Sequence, residues 1–376
     1  MVKLFHITDK LAAWQNSRQP RSDEPGGVLL LSSGGLGDTI LFSHVIDRFV
    51  GLAEPGETVS VLMRQDGSKT AFLFPENIIT QAVDFTRLRK DNVYRRKTMT
   101  DLFEANYRLV ISTDYLRHPD LDEALMLACQ APETAVMRAR PWQKYQNKLD
   151  RNESRFTRKF DSGPQLRDKV LRWADFADWL KGETSPPPLA RISDERLGDL
   201  EAHDEGKEVL VQPFSAVKAK QSPPSLYEAL VDRLPVGTRV VITGTPDDLE
   251  KNPEFKPLLE REGVEFDGAR FIDIQARIRG SRLVISVDTA MMHLAIALGA
   301  PTLGLASAAY VGEIVPYAAE ITPDNAYFYY VPMDCQGCLG NCIHPAQKNM
   351  YPCVAKLDPD KVIEMALDIM NSENIQ

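Results

Sequence analysis

The sequence predicts an α/β protein of two domains, each built on a parallel sheet, with the ligand site in the cleft between them. Three observations carry this expectation. A length of 376 residues with 43% hydrophobic and 26% charged side chains suits two ordinary globular cores. Short apolar runs alternate with stretches of helical spacing along both halves, the pattern of βαβ units. Between them, Lys181–Leu197 carries a proline triplet that no helix continues through.

Taken in order, residues 1–25 are rich in turn formers and charges and read as an N-terminal arm, with a short helix around Lys10–Trp14. The first domain is expected over 26–190. Val28–Ser33 is an apolar run closed by glycines, hence a strand, and Thr39–Val50 places Ile40, Leu41, Val45, Ile46, Phe49 and Val50 at helical spacing. Thr58–Arg64 and Leu109–Asp114 are further strands, the second ending in polar residues as a strand facing a cleft does. Trp173–Leu180 has an aromatic helical stripe, after which 191–206 is the linker. The second domain, 207–355, repeats the alternation. Strands are expected at 209–214, 239–244, 283–287 and 301–307, with helices near Ser225–Leu234 and over Met291–Leu298. A C-terminal helix in 356–376 is signalled by Asp358 as cap, Pro359 at the first helical position, and Val362, Ala366 and Ile369 on one face.

Forty-four basic against 53 acidic residues give a net charge of −9, a field that repels nucleic acid, so no nucleic-acid partner is expected. The first half nevertheless holds basic segments: six basic and one acidic residue in 87–97, eleven and four in 138–172. They predict an anionic partner, such as a phosphorylated glycolipid or a membrane surface, against the alternative of solvated loops and helix faces. No apolar run reaches the roughly 18 residues of a membrane helix. The start lacks a signal peptide's apolar stretch, so a cytoplasmic protein is expected, with peripheral contact at the cytoplasmic face of the inner membrane.

Gly34, Gly35 and Gly37 follow an apolar strand and open a helix, so their loop can turn sharply and let a ligand approach the backbone. A dinucleotide fingerprint would need glycine at Ile40, and the Walker ending is absent. Asp38 has two readings: a helix cap accepting amide hydrogen bonds, or a general base at the end of a central strand. In the second domain Asp288, Thr289 and Ala290 form a polar turn between a buried strand and a helix. Free amides there, with the Thr289 hydroxyl, suit a diphosphate, while Asp288 can accept from sugar hydroxyls. The alternative is again a plain cap. His293, one turn in, reads as a ligand or as a satisfied core histidine.

Four segments, GGLGDTI, PFSAVKAKQSPPSLYEAL, VVITGTPDD and ISVDTAMMHLAIALGAPTLGL, together resemble glycosyltransferase family 9, the bacterial lipopolysaccharide heptosyltransferases, in order and spacing. The resemblance implies a GT-B architecture of two Rossmann-like domains facing a central cleft. It implies inverting transfer of a sugar, heptose from an ADP-linked donor, to an anionic envelope glycoconjugate such as lipopolysaccharide core. Carried over, it makes Asp38 the base, Lys220 the phosphate-contacting lysine, Ser215 a hydroxyl of the donor loop, and Asp288, Thr289, Ala290 and His293 the donor motif. No cofactor is implied for catalysis. The chain departs from the family pattern at Ala290, usually glycine, at Ser222, usually tryptophan, and at Gln212-Pro213-Phe214 in place of His-Pro-Gly. Two other readings remain: a nucleotide-sugar epimerase of the same fold, and a non-catalytic nucleotide-sugar or glycan-binding protein.

Cys335, Cys338, Cys342 and Cys353 cluster near the C-terminus, spaced for either a structural zinc or iron ion or a set of reduced, partly buried thiols, with His344 as a substitute ligand. A metal there pins a loop and takes no part in the chemistry.

Overall fold

The computed structural model describes residues 4–16, 18, 21, 24–198, 200–203 and 206–372. The parts of the expected arm, linker and C-terminus at 1–3, 17, 19–20, 22–23, 199, 204–205 and 373–376 lie outside the described residues. The chain divides into two compact units, Met1–Gln165 with Arg172–Pro186, and Leu166–Leu171 with Pro187–Gln376.

In the first unit six strands, β1 (Val28–Ser32), β2 (Val59–Arg64), β3 (Ile78–Val83), β4 (Leu109–Ser112), β5 (Glu133–Met137) and β6 (Arg158–Phe160), form one sheet in the order β3-β2-β1-β4-β5-β6. Every pairing is parallel. The unbroken apolar run of β1 is explained by its place: a central parallel strand has helices on both faces and no solvent side. On one face Leu29, Leu31 and Val110 pack with Leu125 and Met126 of the helix Asp122–Cys129 and with Met99 and Leu102 of the helix Asn92–Glu104. Elsewhere in the unit Phe42 meets Phe49 and Trp173 edge-on or tilted, and Phe49 meets Phe176, which accounts for the aromatic stripe of the helix Lys169–Lys181.

The second unit repeats the plan. Strands β7 (Glu208–Gln212), β8 (Arg239–Thr243), β9 (Val264–Asp267), β10 (Leu283–Val287), β11 (Thr302–Leu305) and β12 (Ala326–Tyr329) form a parallel sheet in the order β12-β11-β10-β7-β8-β9. The closing helix Pro359–Ser372 packs Val362, Ile363, Ala366, Ile369 and Met370 into this unit's core. The α/β class with a parallel sheet in each half is thus borne out. Both sheets have the Rossmann order. In each, the first strand lies between the second and the fourth, so the loops leaving β1 and β4, or β7 and β10, run to opposite sides and open a crevice.

Three local expectations are corrected. The helix expected over Thr39–Val50 is two, Leu36–Ser43 and Ile46–Val50, because His44 and Val45 turn back on Leu41 and Phe42 through three-residue hydrogen bonds. The arm helix is longer than Lys10–Trp14 and spans Leu4–Asn16. The basic segments are not purely surface charge. Arg95 is 1% exposed and paired with Asp9, and Arg172 is 2% exposed and spent on the Ser162 hydroxyl and on carbonyls of Ser162, Pro164 and Gln165.

Candidate active site

In the first unit the glycine loop leaves β1 at the switch point. Asp38 is the third residue of the helix Leu36–Ser43, and its Oδ2 accepts a 2.8 Å hydrogen bond from the backbone N–H of Gly35. The capping contact therefore exists, and it holds the carboxylate against the loop. Gly34 is required there: a Cβ on it would stand 2.4 Å from the Asp38 Cβ and 2.8 Å from Oδ2. Gly35 is the helix cap and Gly37 lies in the first turn.

Sequence reasoning passed over what supports this loop. Asp114, just beyond β4, accepts at 2.6 Å from the backbone N–H of Ser33 and so ties the ends of β1 and β4 together. Asp122 stands behind it, 3% exposed, accepting from the backbone N–H of His118. Burial, and then the neighbouring Asp114 charge, push the Asp122 carboxyl up to about 7. Beside it Arg117 and Glu123 form an ion pair in which both side chains are at most 1% exposed. The polar end of β4 was the only sequence signal for this group.

In the second unit Ser215 and Lys220 lie on the loop after β7, and Asp288, Thr289 and Ala290 follow β10, again at the switch point. Lys220 Nζ donates to Asp288 Oδ2 at 2.8 Å, with the two side chains 13% and 5% exposed. The ammonium also sits 4.0 Å from the centroid of the Tyr310 ring, whose phenol is pushed above its ordinary range by burial and then by the Asp288 charge. No motif marks Tyr310. Thr289 is the cap residue of the helix Ala290–Ala297, yet its side chain makes no capping bond, unlike the plain cap considered above. His293 is a satisfied core histidine: its Nδ1 lies 2.6 Å from the hydroxyl of Tyr317, and it is 3% exposed. The Ser215 hydroxyl accepts from the backbone N–H of Val217, so it shapes the loop. Lys218 turns away to Asn252 and Glu254.

Three of the four clustered thiols come together. Ligand atoms of Cys335, Cys338 and Cys342 lie within 4.8 Å of one another, and Asp334, Cys335 and His344 form an overlapping group. Cys353 is not in either group; at 4% exposed it packs into the second unit's core among Leu226, Val354 and Leu357. The cysteine loop is tied to the segments that carry the lysine and its ring: Tyr351 N–H donates to the Ala219 carbonyl at 2.9 Å, and Leu339 N–H to the Ala309 carbonyl at 2.8 Å. No helix among the described residues is long and apolar enough to cross a membrane.

Residues 150–325 match glycosyltransferase family 9 (heptosyltransferase), so the resemblance read from the motifs holds over that segment. No curated protein matches the chain in sequence. Among solved structures, the chain is similar to the Escherichia coli heptosyltransferase WaaC with ADP at 18% identity and a TM-score of 0.65, over 91% of this chain and 99% of that one. It is similar to the E. coli ADP-heptose lipopolysaccharide heptosyltransferase II at 15% identity and a TM-score of 0.63, over 93% and 99%. A third similar structure is the iron-containing dodecameric glycosyltransferase TibC of enterotoxigenic E. coli, at 12% identity and a TM-score of 0.54, over 94% and 78%.

Proposed function

We propose, from a chain whose residues 150–325 are glycosyltransferase family 9 (heptosyltransferase) sequence, that it moves a sugar from a nucleoside diphosphate donor to an anionic envelope glycoconjugate. The observation that carries this reading is the convergence of Lys220, Asp288 and the start of the helix Ala290–Ala297 at the β7/β10 switch point. A lysine and free helix amides at one crevice suit a diphosphate, and the carboxylate suits donor hydroxyls. The ADP and ADP-heptose named for the E. coli structures support an ADP-linked heptose as the donor.

Asp38 is the base. As the acceptor oxygen forms its bond to the anomeric carbon from the face opposite the diphosphate, the acceptor hydroxyl proton passes to the Asp38 carboxylate, the bond to the diphosphate oxygen breaks, and the configuration inverts. Lys220 and the helix amides take up the charge that develops on the leaving group, a role that needs no divalent ion. The Gly35 amide fixes the direction of the carboxylate, and the Asp114 contact to Ser33 fixes the loop. The acceptor is an anionic glycolipid such as lipopolysaccharide core, met by exposed cations of the first unit, and the protein works at the cytoplasmic face of the inner membrane.

Cys335, Cys338 and Cys342, with His344 as fourth ligand, hold one structural zinc or iron. The Sγ atoms of Cys335 and Cys342 are 3.8 Å apart, close to the edge of about 3.8 Å expected between thiolates about 2.3 Å from a tetrahedral ion. The iron named for TibC supports this reading. Because this loop is hydrogen-bonded to residues 219 and 309, the ion would stiffen the support of Lys220 and Tyr310.

The test of the donor site is a panel of nucleoside diphosphates read by melting temperature and calorimetry. ADP is expected to stabilise the protein. Lys220→Ala should weaken ADP binding by about 1.5–3 kcal/mol while adenosine is affected far less. Equal loss for both ligands would assign the lysine to loop support alone, and no response to any nucleoside diphosphate would defeat the donor site.

A further inference from the structure

The helix Leu4–Asn16 covers a cavity of about 600 Å³ in the first unit, a volume that suits a small-molecule ligand, and none of its lining residues belongs to the glycine loop. Its walls have two characters. Ala12, Ala13, Ala124, Leu127 and Ala128, with Met99, present short apolar side chains from three helices, which leaves width without hydrogen-bonding demands. Two ion pairs also face it, Arg95 with Asp9 at 2.7 Å and Lys148 with Asp120 at 2.8 Å, so the acids lining the cavity are already neutralised. Arg151 and Arg155 remain at the rim. The Arg151 Nε donates to the carbonyl of Asn147, and among the described residues neither guanidinium has a carboxylate partner.

A cavity that joins an apolar wall to two exposed guanidinium groups without carboxylate partners suits an amphiphile of opposite charge. Guanidinium forks bind phosphate oxygens in pairs, and two of them match the oxygens of a phosphomonoester better than a carboxylate's two. We propose that this cavity is a second ligand site, for a single-chain alkyl phosphate, with the chain along the alanine wall and the phosphate against Arg151 and Arg155. It is independent of the donor reading.

The test is calorimetric titration of the full chain with monododecyl phosphate below its micelle concentration. One-to-one binding is expected, at least about tenfold tighter than inorganic phosphate or dodecyl maltoside, a difference of about 1.4 kcal/mol or more. Ala128→Trp, which fills the slot, and the pair Arg151→Glu with Arg155→Glu, which inverts the rim, should each weaken it at least about tenfold. A cooperative melt within a few degrees of the parent shows that each variant folds, without reference to any nucleotide. The rim pair, being on the surface, remains informative if Ala128→Trp does not fold. Absence of binding, equal binding of either comparison ligand, or binding indifferent to the rim pair overturns the proposal.

Discussion

At the scale of single residues, the Asp38 carboxylate accepts from the Gly35 amide at the start of its helix, and the proposed base role asks the same carboxylate to take the acceptor proton. The bond from Gly35 is a local consequence of an aspartate at the third helical position, and that position is legible in the sequence. Asp38→Asn keeps an oxygen to accept from Gly35 but no basic site, so turnover should fall by about a hundredfold or more while the melting temperature changes little. A large loss of stability with unchanged turnover would leave only the cap. Asp122 gives a prediction of a different kind. The folded chain keeps its proton up to about pH 7, whereas the unfolded chain releases it near pH 4, so the folded state binds more protons across that window. Stability should therefore fall as pH rises from about 4 to about 7, and Asp122→Asn should remove that fall and gain on the order of 1 kcal/mol or more at pH 8. Denaturant titrations of both proteins at pH 5 and pH 8 measure it, and parallel pH profiles would contradict it. Nothing in the sequence around Asp122 announces this shift, because burial and the Asp114 charge both come from chain neighbours brought in by folding.

At the scale of elements, what was legible follows the chemistry of each segment. The central strands β1, β7 and β10 are buried on both faces, so their sequences are dominated by apolar residues and are legible to within a residue or two. The sequence carries no comparable signal for β3, β5, β6, β9 and β12. β3, β6, β9 and β12 are edge strands and none is buried along its whole length, while β5 is an interior strand of five residues that opens on a half-buried glutamate. The proposed donor site is half legible in the sequence. Lys220 and Asp288 were each singled out, but their pairing across 68 positions, and the Tyr310 ring beneath the ammonium, arise only from the sheet order. The glycine loop makes a sharp demand on sequence. Gly34→Ala would bring a methyl within 2.4 Å of the Asp38 Cβ, so this substitution should reduce turnover more than it reduces stability, by displacing the base. A variant with full turnover would show that the loop tolerates the shift. For the cysteine loop, metal analysis should find close to one zinc or iron per chain. Cys335→Ser should abolish it, lower the melting temperature, and raise the dissociation constant for ADP several-fold through the residue 219 and 309 contacts. Metal-free protein of unaltered stability would refute the site.

At the scale of the whole molecule, the chain uses one plan twice: two six-stranded parallel sheets of the same order, each with its candidate residues at the switch point. The proposed division of labour follows this plan, with the proposed base, Asp38, on the first unit and the proposed diphosphate cradle, around Lys220, on the second. The net charge of −9 conceals a first unit with basic segments, part of whose charge is consumed internally by Asp9 and Asp120. The measurement that tests the account most directly is ADP release from ADP-heptose, followed with and without a phosphorylated lipopolysaccharide-core acceptor, for the parent protein and for Asp38→Asn. The account predicts release that requires acceptor, yields the sugar with inverted anomeric configuration, and drops by about a hundredfold or more in the variant. Conversion of the donor without acceptor, or release unaffected by Asp38→Asn, would contradict it.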